Sequence, residues 1–356
     1  MARRILLFVT DLEIGGTPTV VRELAWRLND PGRVEVEVAC LGRWGPVADE
    51  IRDEGIEVTA MGMRSPIQFI AAVRKLRRIV DERAIDTLQS FLIHANTVAA
   101  AAIGKLPNVR LFQSVQTTQA WPRWHWWVQR MIRNRAEAIV VPSSAVARAA
   151  RERSDVDESR ICVIPNAIDP AEFEVQDVFS SDVLRVGFIG RLDPVKRIDA
   201  LIGAMALVRG INSRCDIFGE GVERAKAQAM IEQFGLRGRV FLRGAVAHPQ
   251  EALAQMDVLV LPSVGEGFGL VLIEAMASGV PVIAAGRGGI LDVVEHEQNG
   301  LLIDGDLEKQ IASSVLRLAR DADLRQRLIA GGLRTVREKF DWRIVIPQYR
   351  RLYGVE

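Results

Sequence analysis

Glu266 and Glu274 stand in the run Ser263-Val-Gly-Glu-Gly-Phe-Gly-Leu-Val-Leu-Ile-Glu274, directly after the apolar stretch Asp257-Val-Leu-Val-Leu-Pro262. That order predicts a buried strand, a glycine-broken loop and a helix, with one carboxylate at the loop and the other in the first turns of the helix. Glycines at 265, 267 and 269 let a backbone approach a ligand closely and adopt dihedral angles closed to other residues. The helix start adds unpaired N–H groups and a partial positive charge. A phosphorylated sugar suits such a place: Glu266 would hydrogen-bond sugar hydroxyls, and Glu274 would chelate a ribose diol. The bland alternative is two glutamates on a solvated helix face, which leaves the strand and the glycine loop unexplained.

Cationic side chains follow another strand-like run. In Gly190-Arg191-Leu-Asp-Pro-Val-Lys196-Arg197, after Val186–Ile189, Arg191 and Lys196 flank a loop. Arginine takes two phosphate oxygens at once and lysine acts as a point charge, so the pair could neutralise a diphosphate leaving group without a metal. Near the amino terminus, Gly15-Gly16 precede Thr17-Pro18, where threonine is a good helix cap and proline a good first helical residue. A phosphate or sugar contact and a plain tight turn explain that glycine pair equally well. The four histidines, His94, His125, His248 and His296, are dispersed, and no Cys/His spacing suggests a metal. A Walker-type loop and a nucleophile elbow are both missing.

The elements needed to hold these loops are legible. The 356 residues suggest two domains, and a net charge of +1 with 26% charged residues carries no nucleic-acid signature. Mean hydropathy is +0.10, ordinary for a soluble globular protein. Cys40, Cys162 and Cys215 lie in apolar runs and read as reduced core residues of a cytosolic protein. The apolar run near Met1 is too short for a signal peptide or a membrane span, so any membrane contact would be peripheral. Strand-length apolar runs alternate with helical patterns: Arg4–Thr10, Val34–Leu41, Ile56–Met61, Ile85–Phe91, Val109–Val115, Ala138–Pro142 and Ile161–Pro165, then Leu184–Gly190, Arg214–Phe218, Arg239–Arg243, Asp257–Pro262, Val280–Ala285 and Leu301–Ile303. The pattern predicts an α/β protein with two doubly wound parallel sheets in tandem, facing a central cleft. The first domain is expected over 1–170, an aperiodic linker over 171–183 and the second domain over 184–340. Ligands of such sheets bind at the strand carboxyl ends.

Together, Glu266-Gly-Phe-Gly-Leu-Val-Leu-Ile-Glu274, Gly190-Arg-Leu-Asp-Pro-Val-Lys196, Ala275-Met-Ala-Ser-Gly-Val-Pro281 and Gly288-Gly289 resemble the retaining nucleotide-sugar glycosyltransferases of family four, with the GT-B fold of two Rossmann-like domains. Gly15-Gly16, Val163-Ile-Pro-Asn-Ala-Ile-Asp169 and the closing Asp341-Trp342 to Tyr353 extend the resemblance over nearly the whole chain. It implies that Arg191 and Lys196 grip the diphosphate, Glu274 the ribose, and Glu266 with the backbone amides of Gly267, Phe268, Gly269 and Leu270 the donor sugar and distal phosphate. Gly244, Ala245 and Val246 would meet the base, Gly15, Gly16 and Gly190 would approach the donor, and 341–356 would form a helix returning to the first domain. No cofactor or metal is expected, and UDP is the expected donor nucleotide. Two departures stand out: Ser114-Val-Gln116-Thr-Thr118 places Gln116 where a histidine is usual, and Asp292 replaces a glutamate. Gln116 forms hydrogen bonds but carries no proton at neutral pH.

The acceptor side is read from a second window. Between Thr87 and Ala136 there is no Asp or Glu, while Lys105, Arg110, Arg123, Arg130, Arg133 and Arg135 supply positive charge. Trp121, Trp124, Trp126 and Trp127 lie in the same window. Helical spacing of Trp124, Trp127, Val128 and Met131 predicts a buried stripe, which puts Trp126 with Arg123, Arg130 and Arg133 towards another face. Trp and Arg on an exposed face suit an anionic membrane surface or a wall for a glycan. The expected partners are therefore a nucleotide-sugar donor, a glycan or lipid-linked acceptor and peripheral anionic membrane on the cytoplasmic side, with no nucleic acid. A nucleotide-sugar epimerase or hydrolase, and a non-catalytic sugar-nucleotide-binding module, are the competing readings.

Overall fold

A computed structural model describes residues 2–103, 106 and 108–356. Lys105 of the acid-free window lies outside them. The chain divides into two units, Met1–Asn166 with Arg343–Glu356, and Ala167–Trp342.

The first unit is built on a parallel sheet of β1 (Arg3–Val9), β2 (Val34–Cys40), β3 (Glu57–Ala60), β4 (Thr87–Phe91), β5 (Arg110–Ser114), β6 (Ala138–Val141) and β7 (Ile161–Val163), in the order β3-β2-β1-β4-β5-β6-β7. Parallel neighbours need crossovers, which are supplied by α1 (Gly16–Leu28), α2 (Pro46–Asp53), α3 (Phe69–Glu82), α4 (Leu92–Ile103), α5 (Trp124–Ile132) and α6 (Ser144–Ser154). Central β1 pairs on both sides, with Ile5 opposite Val36 and Thr87. Helices cover both faces of such a sheet, which explains why β1 and β4 read as nearly continuous buried runs rather than alternating ones.

The second unit repeats the plan. Strands β8 (Leu184–Ile189), β9 (Ser213–Phe218), β10 (Val240–Gly244), β11 (Val258–Leu261), β12 (Val282–Ala285) and β13 (Leu301–Ile303) lie parallel in the order β10-β9-β8-β11-β12-β13. Helices α7 (Ile198–Leu207), α8 (Arg224–Gln233), α9 (Pro249–Leu253), α10 (Leu270–Ala277), α11 (Ile290–Val293), α12 (Leu307–Arg320) and α13 (Ala322–Lys339) complete the unit. Its core gathers Val186, Phe188, Leu201, Ile217, Leu259, Ile273, Ile283 and Val315. All thirteen expected strands are present, with ends displaced by at most two residues.

Residues 171–183 differ from the expected linker. Phe173 is buried in the core of the second unit, Gln176 N–H donates to the Ser278 carbonyl at 2.8 Å, and Phe179 N–H donates to the Asp257 carboxylate at 2.7 Å. Single contacts, rather than one face of a helix or strand, hold this segment, so its sequence shows no period. The last helix, α14 (Trp342–Tyr353), belongs to the first unit from Arg343 onwards. Tyr353 is fully buried with its ring 5.5 Å from that of Phe112, and Arg110 donates to the Tyr353 carbonyl at 2.7 Å.

Candidate active site

At the carboxyl edge of the second sheet, three loops are stitched together by backbone. Leu192 N–H donates to the Glu220 carbonyl at 2.9 Å, and Gly219 N–H donates to the Gly244 carbonyl at 2.6 Å. A Cβ on Gly219 would lie 1.9 Å from the Gly190 carbonyl oxygen, so only glycine permits this approach. Gly219-Glu220-Gly221 did not emerge from the sequence as part of the site. Its signal was present as a glycine pair directly after β9.

The Lys196 and Glu266 loops meet beside this edge. Val264 N–H donates to the Val195 carbonyl at 2.9 Å, and the Lys196 ammonium forms an ion pair with the Glu266 carboxylate. Both side chains are largely shielded from water, which strengthens their attraction. Arg191 stands apart, mostly exposed, 3.1 Å from the Asp193 carboxylate. The expected Arg191–Lys196 pair is thus one shielded lysine beside Glu266 and one solvent-facing arginine with room to move.

Behind them, the Phe268 side chain is buried against Phe340, their rings 5.4 Å apart and nearly perpendicular. Anchoring this ring leaves the 267–270 backbone as the part of the loop that can serve a ligand. Gly269 caps α10 in the left-handed region with no side-chain cap. Gly289 holds the loop from the other side: its N–H donates to the Glu266 carbonyl at 3.0 Å, and a Cβ there would lie 2.0 Å from the Gly267 carbonyl oxygen. Glu274, further along α10, is buried, and burial pushes its carboxyl up to about 7. Such a group is poised to accept hydroxyl hydrogen bonds that would favour its ionised form. Ala245 is exposed and Val246 half-buried, just past Gly244.

In the first unit, Gln116 is half-buried two residues beyond β5, where its amide donates to the Ser114 hydroxyl at 2.6 Å. Gly15 caps α1, which starts at Gly16 rather than at Thr17-Pro18. A Cβ on Gly15 would touch only Pro18, at 3.8 Å, so crowding does not dictate glycine there.

Helix α5 turns the opposite face inward from the one the apolar spacing predicts. Trp126 is buried, with its indole N–H donating to the Gln119 carbonyl at 2.7 Å, whereas Trp124, Trp127 and Met131 are exposed and Val128 is half-buried. Polar groups set this phase. Gln129 is buried beside Trp126 and donates to Gln113 at 2.9 Å, while Asn96 of α4 donates to Gln129 at 3.3 Å and to the Ser114 carbonyl at 3.0 Å. Buried amides must be paired, and this net fixes the helix more firmly than one apolar stripe does. Arg130 and Arg133 reach Asp155 at 3.4 and 3.1 Å, and Arg123 lies over the Trp121 ring.

No group of three metal-ligating side chains occurs among the described residues. Two parallel-sheet α/β units with this loop site define the GT-B fold. Residues 171–334 match the family model described as glycosyl transferases group 1, and residues 14–172 match that described as glycosyltransferase family 4. The chain belongs to the family 4 glycosyltransferases.

Among relatives, an uncharacterised glycosyltransferase of Methanocaldococcus jannaschii is 30% identical over 232 residues, covering 61% of this chain and 60% of that protein. A D-inositol 3-phosphate glycosyltransferase of Stackebrandtia nassauensis is 30% identical over 240 residues, covering 62% of this chain and 54% of that protein. The chain therefore spans between half and two thirds of the length of these curated relatives. A crystal structure of HepE from Anabaena, in complex with UDP and glucose, superposes with a TM-score of 0.88 at 20% identity, covering 99% of this chain and all of that one.

Proposed function

We propose that the protein is a retaining glycosyltransferase that moves a sugar from a nucleoside diphosphate sugar, UDP-linked, to a glycan or lipid-linked acceptor in cell-surface glycan or glycolipid synthesis. The observation that carries the reading is the shielded Lys196–Glu266 pair on loops that meet at the carboxyl edge of the second sheet. Family membership and the UDP complex of HepE support it.

In this reading Lys196 exchanges its carboxylate partner for the distal phosphate, and Glu266 turns to the sugar hydroxyls. Exposed Arg191 swings to the diphosphate, and Glu274 takes the ribose diol. The bond from the anomeric carbon to phosphate oxygen breaks while the acceptor oxygen attacks from the same face. The acceptor's proton passes to the departing phosphate, so no protein base is required. What the protein supplies is stabilisation of charge growing on the diphosphate, from Lys196, Arg191 and the N-terminus of α10. These groups take the role a divalent cation would otherwise fill, and the transfer is proposed to need no metal. Its place is the cytoplasmic face of a membrane, where a lipid-linked acceptor is presented.

A transfer assay tests this directly: UDP-sugars with candidate glycan and lipid-linked acceptors in chelator, with NMR reading the anomeric configuration of the product. Retained configuration supports the proposal. Inverted configuration, conversion of donor without acceptor, or dependence on added metal contradicts it.

A further inference from the structure

We propose that the first unit docks on an anionic lipid bilayer through the N-terminal end of α3 and the exposed face of α5. Trp121, Trp124, Trp127 and Met131, together with Ile67 and Ile70 on and just before α3, are 47 to 93% exposed. In a parallel sheet every crossover helix starts at the strands' carboxyl edge, so these starts share one edge. Helix α4 packs against both α3 and α5, and the buried faces of all three meet in one core. His94 of α4 packs beside α5, its ring 5.6 Å from that of Trp124.

Spacing makes each helix amphipathic in a way suited to an interface. Trp124, Trp127 and Met131 lie three and four residues apart, and so share one face of α5. Arg123 and Arg130 are exposed beside them. On α3 the line Ile67, Ile70, Arg74 and Arg77 continues an apolar tip into a cationic stripe. Indole rings favour the headgroup level of a bilayer, and arginines suit its phosphates.

Charge selects the occupant. With no acidic residue from Thr87 to Ala136, a second copy placed face to face would set cations against cations. A glycan wall would lack carboxylates there to take sugar hydroxyl hydrogens. Asp155 tempers Arg130 and Arg133 at one end of α5, which leaves Arg123, Arg74 and Arg77 as the main phosphate contacts.

This surface lies wholly in the first unit and does not depend on the donor chemistry. Flotation of the full chain with vesicles of phosphatidylcholine alone, or mixed with phosphatidylglycerol, tests it. Binding is expected only with the anionic vesicles, and it should fall as salt rises from about 0.1 M to about 1 M, where the screening length shrinks from roughly 10 Å to about 3 Å. Trp124→Ser with Trp127→Ser should weaken partition by about tenfold or more, and Ile67→Ser with Ile70→Ser should weaken it independently. These positions are exposed, so melting temperature and nucleotide binding should be unchanged and serve as folding controls. Failure to float with anionic vesicles at low salt, or equal flotation of parent and both variants, would overturn the proposal. A concentration-dependent dimer abolished by the tryptophan variant would also overturn it, in favour of a second copy on this face.

Discussion

Lys196 and Glu266 lie 70 residues apart in sequence, yet they form an ion pair on two loops joined by the Val264 N–H bond to the Val195 carbonyl. In the proposed function each charge exchanges this partner for a group of the sugar nucleotide. The two variants should therefore behave differently. Lys196→Met should weaken UDP binding by about 1.5–3 kcal/mol, the range of a hydrogen bond to a charged group. Glu266→Gln should leave UDP affinity equal or raised, because the lysine loses its competitor, while weakening the UDP-sugar. Calorimetric titration reads both, and equal losses for both ligands in both variants would refute this division of roles.

Glu274 gives a pH dependence with a definite sign. Its carboxyl is raised by burial from 4.5 to about 7, so the folded state holds the proton more strongly than the unfolded chain. The favourable contribution is complete below pH 4.5, declines as pH rises through 7, and is absent above. Glu274→Gln removes this slope, and at pH 8 it should gain up to about 3 kcal/mol relative to the parent compared with pH 4.5. Urea melts at the two pH values measure it; parallel pH profiles would contradict it. A ribose diol favours the charged carboxylate, so nucleotide affinity of the parent should rise across the same window.

Gly289 locks the loop proposed to hold the donor. In Gly289→Ala the new methyl would meet the Gly267 carbonyl oxygen at 2.0 Å, which forces the loop to shift. Melting temperature should fall, and UDP-sugar affinity should fall with it by more than about tenfold, as a displaced loop loses several hydrogen bonds at once. Unchanged affinity would show that the 267–270 backbone does not hold the donor.

Gln116 offers a neutral hydrogen bond whose geometry is fixed by Ser114. Gln116→Ala should cost on the order of 1–2 kcal/mol in transition-state stabilisation, and Gln116→His should be tolerated. Rate profiles between about pH 5.5 and 8 should show no step from this residue, since an amide does not titrate there. An inert parent that Gln116→His switches on would place the non-catalytic binding reading ahead.

The fold was legible because β8, β11 and β12 are short, largely apolar runs bounded by loops, and burial on both faces leaves little else for them to be. Glu266 and Glu274 were legible because glycines and helix starts leave local marks. The Lys196–Glu266 pairing was not, since nothing local records a contact across 70 residues. Helix α5 misled for a different reason. Its phase is set by Gln129 in a net with Asn96 and Gln113, and a count of apolar spacings assigns a glutamine to the outside. Gly219-Glu220-Gly221 was passed over because its role lies in backbone approach to Gly190, which only the assembled sheet reveals.

The central claim, that the second unit binds a sugar nucleotide through Lys196, Glu266 and Glu274 without a metal, is tested most directly by thermal unfolding of the full chain in chelator with UDP-, GDP- and ADP-sugars in turn. At a concentration about 100 times its dissociation constant, a bound donor stabilises by ~2.7 kcal/mol. A UDP-sugar should raise the unfolding temperature of the parent by several degrees and that of Lys196→Met much less. No shift with any sugar nucleotide, or a shift that requires added divalent metal, would contradict the claim.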